Sequence, residues 1–183
     1  MMSKMCKYLI LWLLVTTSLL SYNYEQYFEK YSRWYFGYDF DHTWFIAQGL
    51  QESRLDSSAV SYVGASGVMQ IMPGTWNDLT KNKFDVFNPQ YNIMYGIKYD
   101  KRCWNIWKAP RPFEDRLKFM LGSYNAGAGH LIKAQKKALG MGLNPNSWSN
   151  IEVTLPAITG HHSKETITYV KRIFKYHRQI NGL

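Results

Sequence analysis

The stretch Trp44-Phe45-Ile46-Ala47-Gln48-Gly49-Leu50-Gln51-Glu52 decides how the chain is read. Its apolar residues recur at helical spacing, with Phe45, Ile46, Gly49 and Leu50 on one face, and it holds no proline and no run of alternating β-branched residues. The spacing predicts a helix over His42–Ser53. Glu52 closes it, seven residues after Phe45 and three after Gly49, at the edge of the apolar face. A carboxyl group in an apolar setting holds its proton more tightly and can serve as a general acid near neutral pH. Gly49, one turn back, leaves space beside that carboxyl for an approaching group. The competing reading is a helix-end glutamate that simply faces water, the usual place for this residue.

Outward from this helix the periodicity stays helical, and no segment alternates long enough to predict a sheet. Glu25–Phe36 is an aromatic-rich helix ended by Gly37. Ser57–Gly67 is a loop rich in Ser, Gly and Ala, Met69–Met72 a short apolar run, and Pro73 opens a short helix through Leu79. Asn88-Pro89 is a helix start, an N-cap side chain followed by a proline whose missing N–H costs nothing there. Ile93, Ile97, Trp104 and Trp107 then share one stripe. A helix over Phe113–Tyr124 breaks at Asn125–Gly129, and another runs from His130 to Leu139. Met141–Ser163, with Pro145, Pro156 and Gly160, is the least regular part, with one short helix near Ser149–Leu155. The last helix, Lys164–Ile180, carries Ile167, Val170 and Phe174 on one side and Tyr169, Ile173, Tyr176 and Ile180 nearly opposite, so both sides should be covered. Lys164, Lys171, Lys175 and Arg178 form a basic strip between them, the pattern of a solvated face.

The composition agrees with one folded domain. The 183 residues are 46 % hydrophobic, 16 % aromatic and 19 % charged, with six prolines, which fills one core and is unlike a disordered chain. Lysine and arginine number 22 against 13 acids, a formal charge of +9. Such a chain is drawn to something anionic: nucleic acid, a membrane surface or a polyanionic wall polymer.

Lys4 and Lys7 precede an apolar run, Tyr8–Val15, that trails through Thr16, Thr17 and Ser18 to Leu20. This is the layout of a secretory leader, short of the roughly 20 residues that a spanning helix needs. Residues 1–21 are read as a signal peptide or an N-terminal membrane anchor, with a buried core helix as the third alternative, and residues 22–183 as the functional domain. Cys6 precedes the apolar run, where a lipid-bearing cysteine would follow it. Removal of the leader takes Cys6 with it and leaves Cys103, beside Trp104 on a helix, as a buried core thiol.

Several chemistries lack their motifs. No Walker A loop, dinucleotide glycine fingerprint or His-Glu-x-x-His helix occurs, and Gly127-Ala128-Gly129 follows a helix where a phosphate loop follows a strand. Adjacent His161 and His162 point in different directions on a helix, unlike metal-binding pairs three or four apart. No metal or cofactor is expected.

Five blocks carry a resemblance. Glu52-Ser53; Gly64-Ala65-Ser66-Gly67-Val68-Met69-Gln70-Ile71-Met72-Pro73-Gly74-Thr75; Asn88-Pro89 with Asn92-Ile93 and Tyr95-Gly96; Ser123-Tyr124-Asn125-Ala126-Gly127; and Glu165-Thr166 with Tyr169-Val170 resemble, in order, the catalytic domain of soluble lytic transglycosylases. They span about residues 43 to 181. The resemblance implies a mainly α, lysozyme-like domain with helices around a substrate cleft and at most a minor β-hairpin. It implies cleavage of the β-1,4 bond between N-acetylmuramic acid and N-acetylglucosamine in peptidoglycan, with Glu52 as the single catalytic acid. Substrate-binding positions fall on Ser61, Gln70, Met72, Tyr124, Asn125, Glu165 and Tyr169. Those residue types suit a sugar: hydroxyl and amide groups supply donors and acceptors together, and tyrosines add apolar area with a polar tip.

The mechanism so implied has Glu52 protonate the leaving oxygen and then, as carboxylate, take the proton of the muramic acid C6 hydroxyl, giving a 1,6-anhydro product. Glycosidases that use water ordinarily need two carboxylates. Asp56, in an Asp-Ser-Ser setting, reads as a turn residue. Ser123 stands where the family usually has alanine, a small-for-small exchange of little expected consequence, and the segment before Glu165 lacks the family's usual proline. Two alternatives stay open: a hydrolytic muramidase of the goose-type lysozyme group, and a wall-binding protein without catalysis. On this reading nucleic acid drops out as a partner and the membrane enters only through the leader or anchor. Peptidoglycan strands in the periplasm or cell envelope remain, with a secretion, conjugation or phage apparatus as a further partner class.

Overall fold

The computed structural model describes residues 24–183, so the leader or anchor at 1–21 lies outside the described residues. The described chain is mainly helical, as the periodicity predicts, and its β structure amounts to two isolated antiparallel bridges, Val60 with Ser66 and Ser66 with Ile71. No described helix is long and apolar enough to cross a membrane. The chain divides into two compact units, the first ending at Gly96 and the second covering Ile97–Leu183. The division falls inside one helix, α4.

The first unit contains α1 (24–36), α2 (Thr43–Ser53), α3 (Pro73–Thr80) and the opening turns of α4 (Pro89–Ile106). Its core joins Phe28 and Tyr31 of α1, Phe45 and Ile46 of α2, Val68, Met69 and Ile71 of the following loop, and Trp76 and Ile93. Phe45 packs against Phe36 and Phe40, with ring centroids 5.2 and 5.4 Å away. α4 starts as expected: the Asn88 side-chain oxygen accepts the N–H groups of Gln90 and Tyr91 at 3.0 and 3.3 Å, directly before Pro89.

α2 departs from the sequence expectation in its burial. Five consecutive residues, Phe45 to Gly49, are buried, while Leu50 is only half-buried. A helix covered on more than one side is central to its unit rather than laid on its surface. The space expected beside Glu52 at Gly49 is taken: a methyl group there would meet Leu55 Cδ2 at 2.7 Å and Phe28 Cζ at 3.2 Å. Leu55 reaches that position because the chain leaves α2 through left-handed Arg54 and Leu55, with φ of 58° and 65°. Each left-handed non-glycine residue costs about 1–2 kcal/mol, and full burial of the Leu55 side chain returns roughly 2 kcal/mol of it.

The second unit holds the remainder of α4 and α5 (Phe113–Ala126), α6 (Ala128–Gly140), α7 (Trp148–Thr154), α8 (Pro156–Thr159) and α9 (His162–Ile180). Its core is built on α5, whose Leu117, Phe119, Met120 and Leu121 are fully buried. Trp148 lies edge-on to Phe119 and fills the space over Gly122. The predicted break at Asn125–Gly129 shrinks to one residue. Asn125 and Ala126 complete the last turn of α5, and Gly127 alone, at φ 84° and ψ 134°, separates it from α6. That conformation is open to glycine and strained for other residues, which is why so short a break suffices.

Met141–Ser163 is more ordered than its composition suggests. It holds α7, α8 and the first two residues of α9, and Pro156 occupies a first-turn position where proline initiates a helix rather than ending one. α9 has one buried stripe, Thr166, Tyr169, Val170 and Ile173, instead of two opposed apolar faces. Ile167 and Phe174 are half-buried and Ile180 is exposed. The strip of Lys164, Lys171, Lys175 and Arg178 faces solvent, as expected.

Candidate functional site

Glu52 stands in the last turn of α2, half-buried. The next residue ties this turn down: Ser53 Oγ donates to the Val68 carbonyl at 2.8 Å. Val68 belongs to the loop that carries Ser61 and Gln70. In that loop the Ser61 N–H donates to the Ala65 carbonyl at 2.9 Å, and the Ala65 N–H donates back to Ser61 Oγ at 3.0 Å. The Ser66 and Ile71 backbones exchange bonds of 3.2 and 3.1 Å.

Gln70 sits at φ 45°, a strained conformation for a non-glycine residue. Its side chain pays for the strain by clasping the loop, with Nε2 donating to the Ala59 and Gly67 carbonyls at 3.1 and 2.9 Å. Both partners are carbonyl oxygens, so the amide orientation follows from chemistry, and both N–H groups are engaged. Met72 follows as the residue before α3, 45 % exposed. Glu52, Ser61 and Gln70 thus belong to one hydrogen-bonded assembly of helix end and loop.

The pin through this assembly is Asn92, fully buried on α4. Its side-chain oxygen accepts the Met69 N–H at 2.7 Å, and its amide donates to the carbonyls of Ser66 and Val86 at 3.1 and 2.9 Å. All three bonds are to backbone, so one side chain ties a loop with almost no regular structure of its own to the segment that leads into α4. Gly67 makes room for it: φ is 76°, and an added methyl group would collide with Asn92 Nδ2 and stand 2.8 Å from the Val86 carbonyl. In the sequence Asn92 stands beside Ile93 with no local pattern that assigns it a task. The available signal was a polar residue one turn after the N-cap Asn88, beside the apolar positions Ile93 and Ile97.

In the second unit Tyr124 and Asn125 share the last turn of α5, both half-buried. The Tyr124 ring meets Tyr99 edge-on, centroids 5.2 Å apart and planes at 65°. Burial pushes the Tyr99 phenol above its ordinary pKa, reinforced by Cys103 and Asp100. Ser123, expected to matter little, is fully buried and bonded on both sides: it accepts the Trp107 indole N–H at 3.0 Å and donates to the Phe119 carbonyl at 2.7 Å. An alanine there would leave the indole without this acceptor. On α9, Glu165 is exposed while Tyr169, one turn on, is 5 % exposed.

Other titratable candidates resolve into structural tasks. Asp56 Oδ1 accepts the N–H and hydroxyl of Ser58 at 2.8 and 2.7 Å, which lowers its pKa and makes it the turn residue its setting suggested. Cys103 is buried, and burial together with the Asp100 charge pushes the thiol far above its ordinary range. A thiol so protonated is a core residue and not a nucleophile. The His161 and His162 rings lie against each other, centroids 4.0 Å apart.

A helical fold with a glutamate fixed at a helix end beside a hydrogen-bonded loop defines a class that comparison with known proteins identifies. The family described as Transglycosylase SLT domain matches residues 37–142, and the chain belongs to that family. The membrane-bound lytic murein transglycosylase F of Desulfosudis oleivorans is 30 % identical over 149 residues, 75 % of this chain and 32 % of that protein. The protein of the same name from Photobacterium profundum is 29 % identical over 173 residues, 87 % of this chain and 32 % of the relative. Among solved structures, the 70 kDa soluble lytic transglycosylase of Escherichia coli has a TM-score of 0.61 at 27 % identity, over 87 % of this chain and 24 % of that one. The lytic transglycosylase Slt of Pseudomonas aeruginosa reaches 0.66 at 21 % identity, over 86 % of this chain and 24 % of that one, a likeness of fold alone. The mainly α, lysozyme-like fold class is the one expected. The chain spans about a third of the length of the curated relatives and about a quarter of the solved chains.

Proposed function

We propose that the chain is a peptidoglycan lytic transglycosylase that cleaves the β-1,4 bond between N-acetylmuramic acid and N-acetylglucosamine without water. One observation carries this reading: in a member of the Transglycosylase SLT family, Glu52 stands in the last turn of a buried helix, and that turn is bonded to the loop of Ser61 and Gln70. Glu52 donates its proton to the glycosidic oxygen as the C1–O bond breaks. Its carboxylate then takes the proton of the muramic acid C6 hydroxyl while that oxygen bonds to C1, which closes the 1,6-anhydro ring and returns Glu52 to its starting state. Asp56 does not serve as a second carboxylate, since its oxygen is held by Ser58 in a turn.

The remaining positions bind the glycan. Gln70 spends both amide hydrogens on the loop, so it offers the sugar its carbonyl oxygen as an acceptor. Ser61, whose oxygen already accepts from Ala65, offers its hydroxyl hydrogen. Met72 and Tyr124 give apolar contact, Asn125 an amide, Glu165 a carboxylate and Tyr169 the polar tip of a ring that is otherwise packed. No cofactor enters this chemistry. The substrate puts the protein in the periplasm or cell envelope, with residues 1–21 as leader or anchor and residues 22–183 as the enzyme. A secretion, conjugation or phage apparatus that needs a local opening in the wall is the further partner class that this activity would serve.

Mass spectrometry of digested peptidoglycan tests the reading. Muropeptides with 1,6-anhydro ends are expected. Reducing ends would replace the reading with a goose-type hydrolytic muramidase, and absence of any release would leave a wall-binding protein. Glu52→Gln should lower the rate at least about a hundredfold, the usual scale of a general acid. Full activity in that variant would remove Glu52 from the mechanism.

A further inference from the structure

We propose that the exposed strip of α1 is a second glycan-holding site, in which Trp34 and Tyr38 stack against an N-acetylated sugar ring of the wall polymer. The inference rests on peptidoglycan being the substrate, and none of its residues belongs to the set grouped around Glu52.

One side of α1 is buried through Phe28, Tyr31 and Ser32. The other side carries Gln26, Glu29, Lys30, Arg33 and Trp34, at helical spacings of three and four, and Tyr38 continues the strip past Gly37. Trp34 is 73 % exposed and Tyr38 84 %. Two large aromatic side chains left in water four residues apart, on either side of the helix end at Gly37 and within a strip of charge, mark an interaction surface rather than a packing remnant. Together the six residues line an open depression of about 380 Å³, within the roughly 300–1,000 Å³ usual for small-ligand sites.

The polar groups around the rings are already arranged. The Arg33 guanidinium pairs with the Glu29 carboxylate at 2.5 Å and lies over the Tyr38 ring, 5.4 Å from its centroid. Lys30 Nζ lies 5.4 Å from the Tyr31 ring centroid. A pyranose has one flat C–H face and a rim of hydroxyl and amide groups, so it needs an aromatic platform flanked by donors and acceptors. Trp34 and Tyr38 supply the platform. Gln26 and Glu29 can meet the hydroxyl and N-acetyl groups, and Arg33 and Lys30 complement a lactyl carboxylate. A lipid surface fits less well, because the depression is concave and Glu29 would be pressed against anionic headgroups.

The experiment uses the full chain carrying Glu52→Gln, so that the wall is held and not cut. Cosedimentation with purified sacculi, and a fluorescence titration with a soluble N-acetylglucosamine oligomer, measure binding. Trp34→Ala and Tyr38→Ala should each weaken both by about tenfold, the scale of an aromatic anchor, with an unaltered circular dichroism spectrum. Trp34→Phe, which keeps a flat ring, should restore most of the affinity. Unchanged sacculus binding in both alanine variants would overturn the proposal. So would loss of binding to vesicles of phosphatidylethanolamine and phosphatidylglycerol with sacculus binding intact. Trp34-dependent sacculus binding in a protein whose wild type releases no anhydromuropeptides would support this site while sinking the enzymatic reading.

Discussion

The Ser53 hydroxyl donates to the Val68 carbonyl at 2.8 Å, across fifteen residues of chain, and so fixes the turn that bears Glu52 to the loop that bears Ser61 and Gln70. Ser53→Ala should cost about 1 kcal/mol, the net worth of one such bond. For a chain of this size that lowers the melting temperature by roughly 2–4 °C. If the bond also aims Glu52, kcat on peptidoglycan falls while KM holds. A lower melting temperature with unchanged kcat would reduce Ser53 to a structural tie.

Asn92 bonds three backbone groups at once, two in the loop and one, the Val86 carbonyl, in the segment before α4. Asn92→Leu keeps the volume and strands the Met69 N–H and the Val86 carbonyl, while the Ser66 carbonyl keeps the Ile71 N–H. Each buried unpaired group costs about 1–3 kcal/mol, so urea denaturation should show a loss of about 2 kcal/mol or more. A loss under about 1 kcal/mol would mean that water replaces the amide there.

Gly67 and Gly37 give a paired comparison, since both have positive φ and only Gly67 faces a crowded neighbour. Alanine at Gly37 should cost about 1 kcal/mol for the left-handed backbone alone. Alanine at Gly67 must also displace Asn92 or the Val86 backbone, and a further loss of about 1–3 kcal/mol is expected from that overpacking. Equal losses at the two sites in thermal denaturation would show that the Asn92 contact is soft.

Ser123→Ala removes the acceptor of the Trp107 indole. The buried N–H then costs about 1–3 kcal/mol, measurable as a shifted urea midpoint and a changed tryptophan emission. A neutral outcome would show that the indole finds another acceptor.

Cys103 should set part of the alkaline limit of stability. Its thiol is held far above the ordinary 9.0 by burial and by Asp100, so the folded chain keeps the proton more tightly than the unfolded one. The contribution is complete below about pH 9 and is lost progressively as pH rises beyond it. Comparing urea midpoints of the wild type and Cys103→Ala across that range should show a shallower alkaline fall in the variant. In the native state the thiol should resist alkylation until the chain unfolds.

Much of this was legible in the residues themselves. Pro73, the Asn88-Pro89 pair and Gly37 mark helix boundaries through local backbone chemistry, which needs no tertiary partner, and they stand where the sequence put them. The ordered blocks around Glu52, Gln70 and Tyr124-Asn125 named the family for the same reason: they are contiguous, and contiguous patterns survive in one dimension. Local rules failed where neighbours far along the chain decide. Pro156 read as a breaker and starts α8, and the two apolar stripes of α9 became one once packing chose a side.

The tasks of individual side chains belong to the tertiary structure. The space at Gly49 read as room for a ligand until Leu55 filled it through a left-handed turn. Gln70 read as a free amide and proved to have both its hydrogens committed to the loop. Asn92 acts on Ser66 and Met69, twenty-six and twenty-three residues away. Helical spacing states which residues share a face, and it was sufficient to determine a mainly α chain ending one helix at Glu52. Which donors are consumed, which glycine makes room and which face is covered depend on contacts between distant segments, and those exist only once the chain has folded.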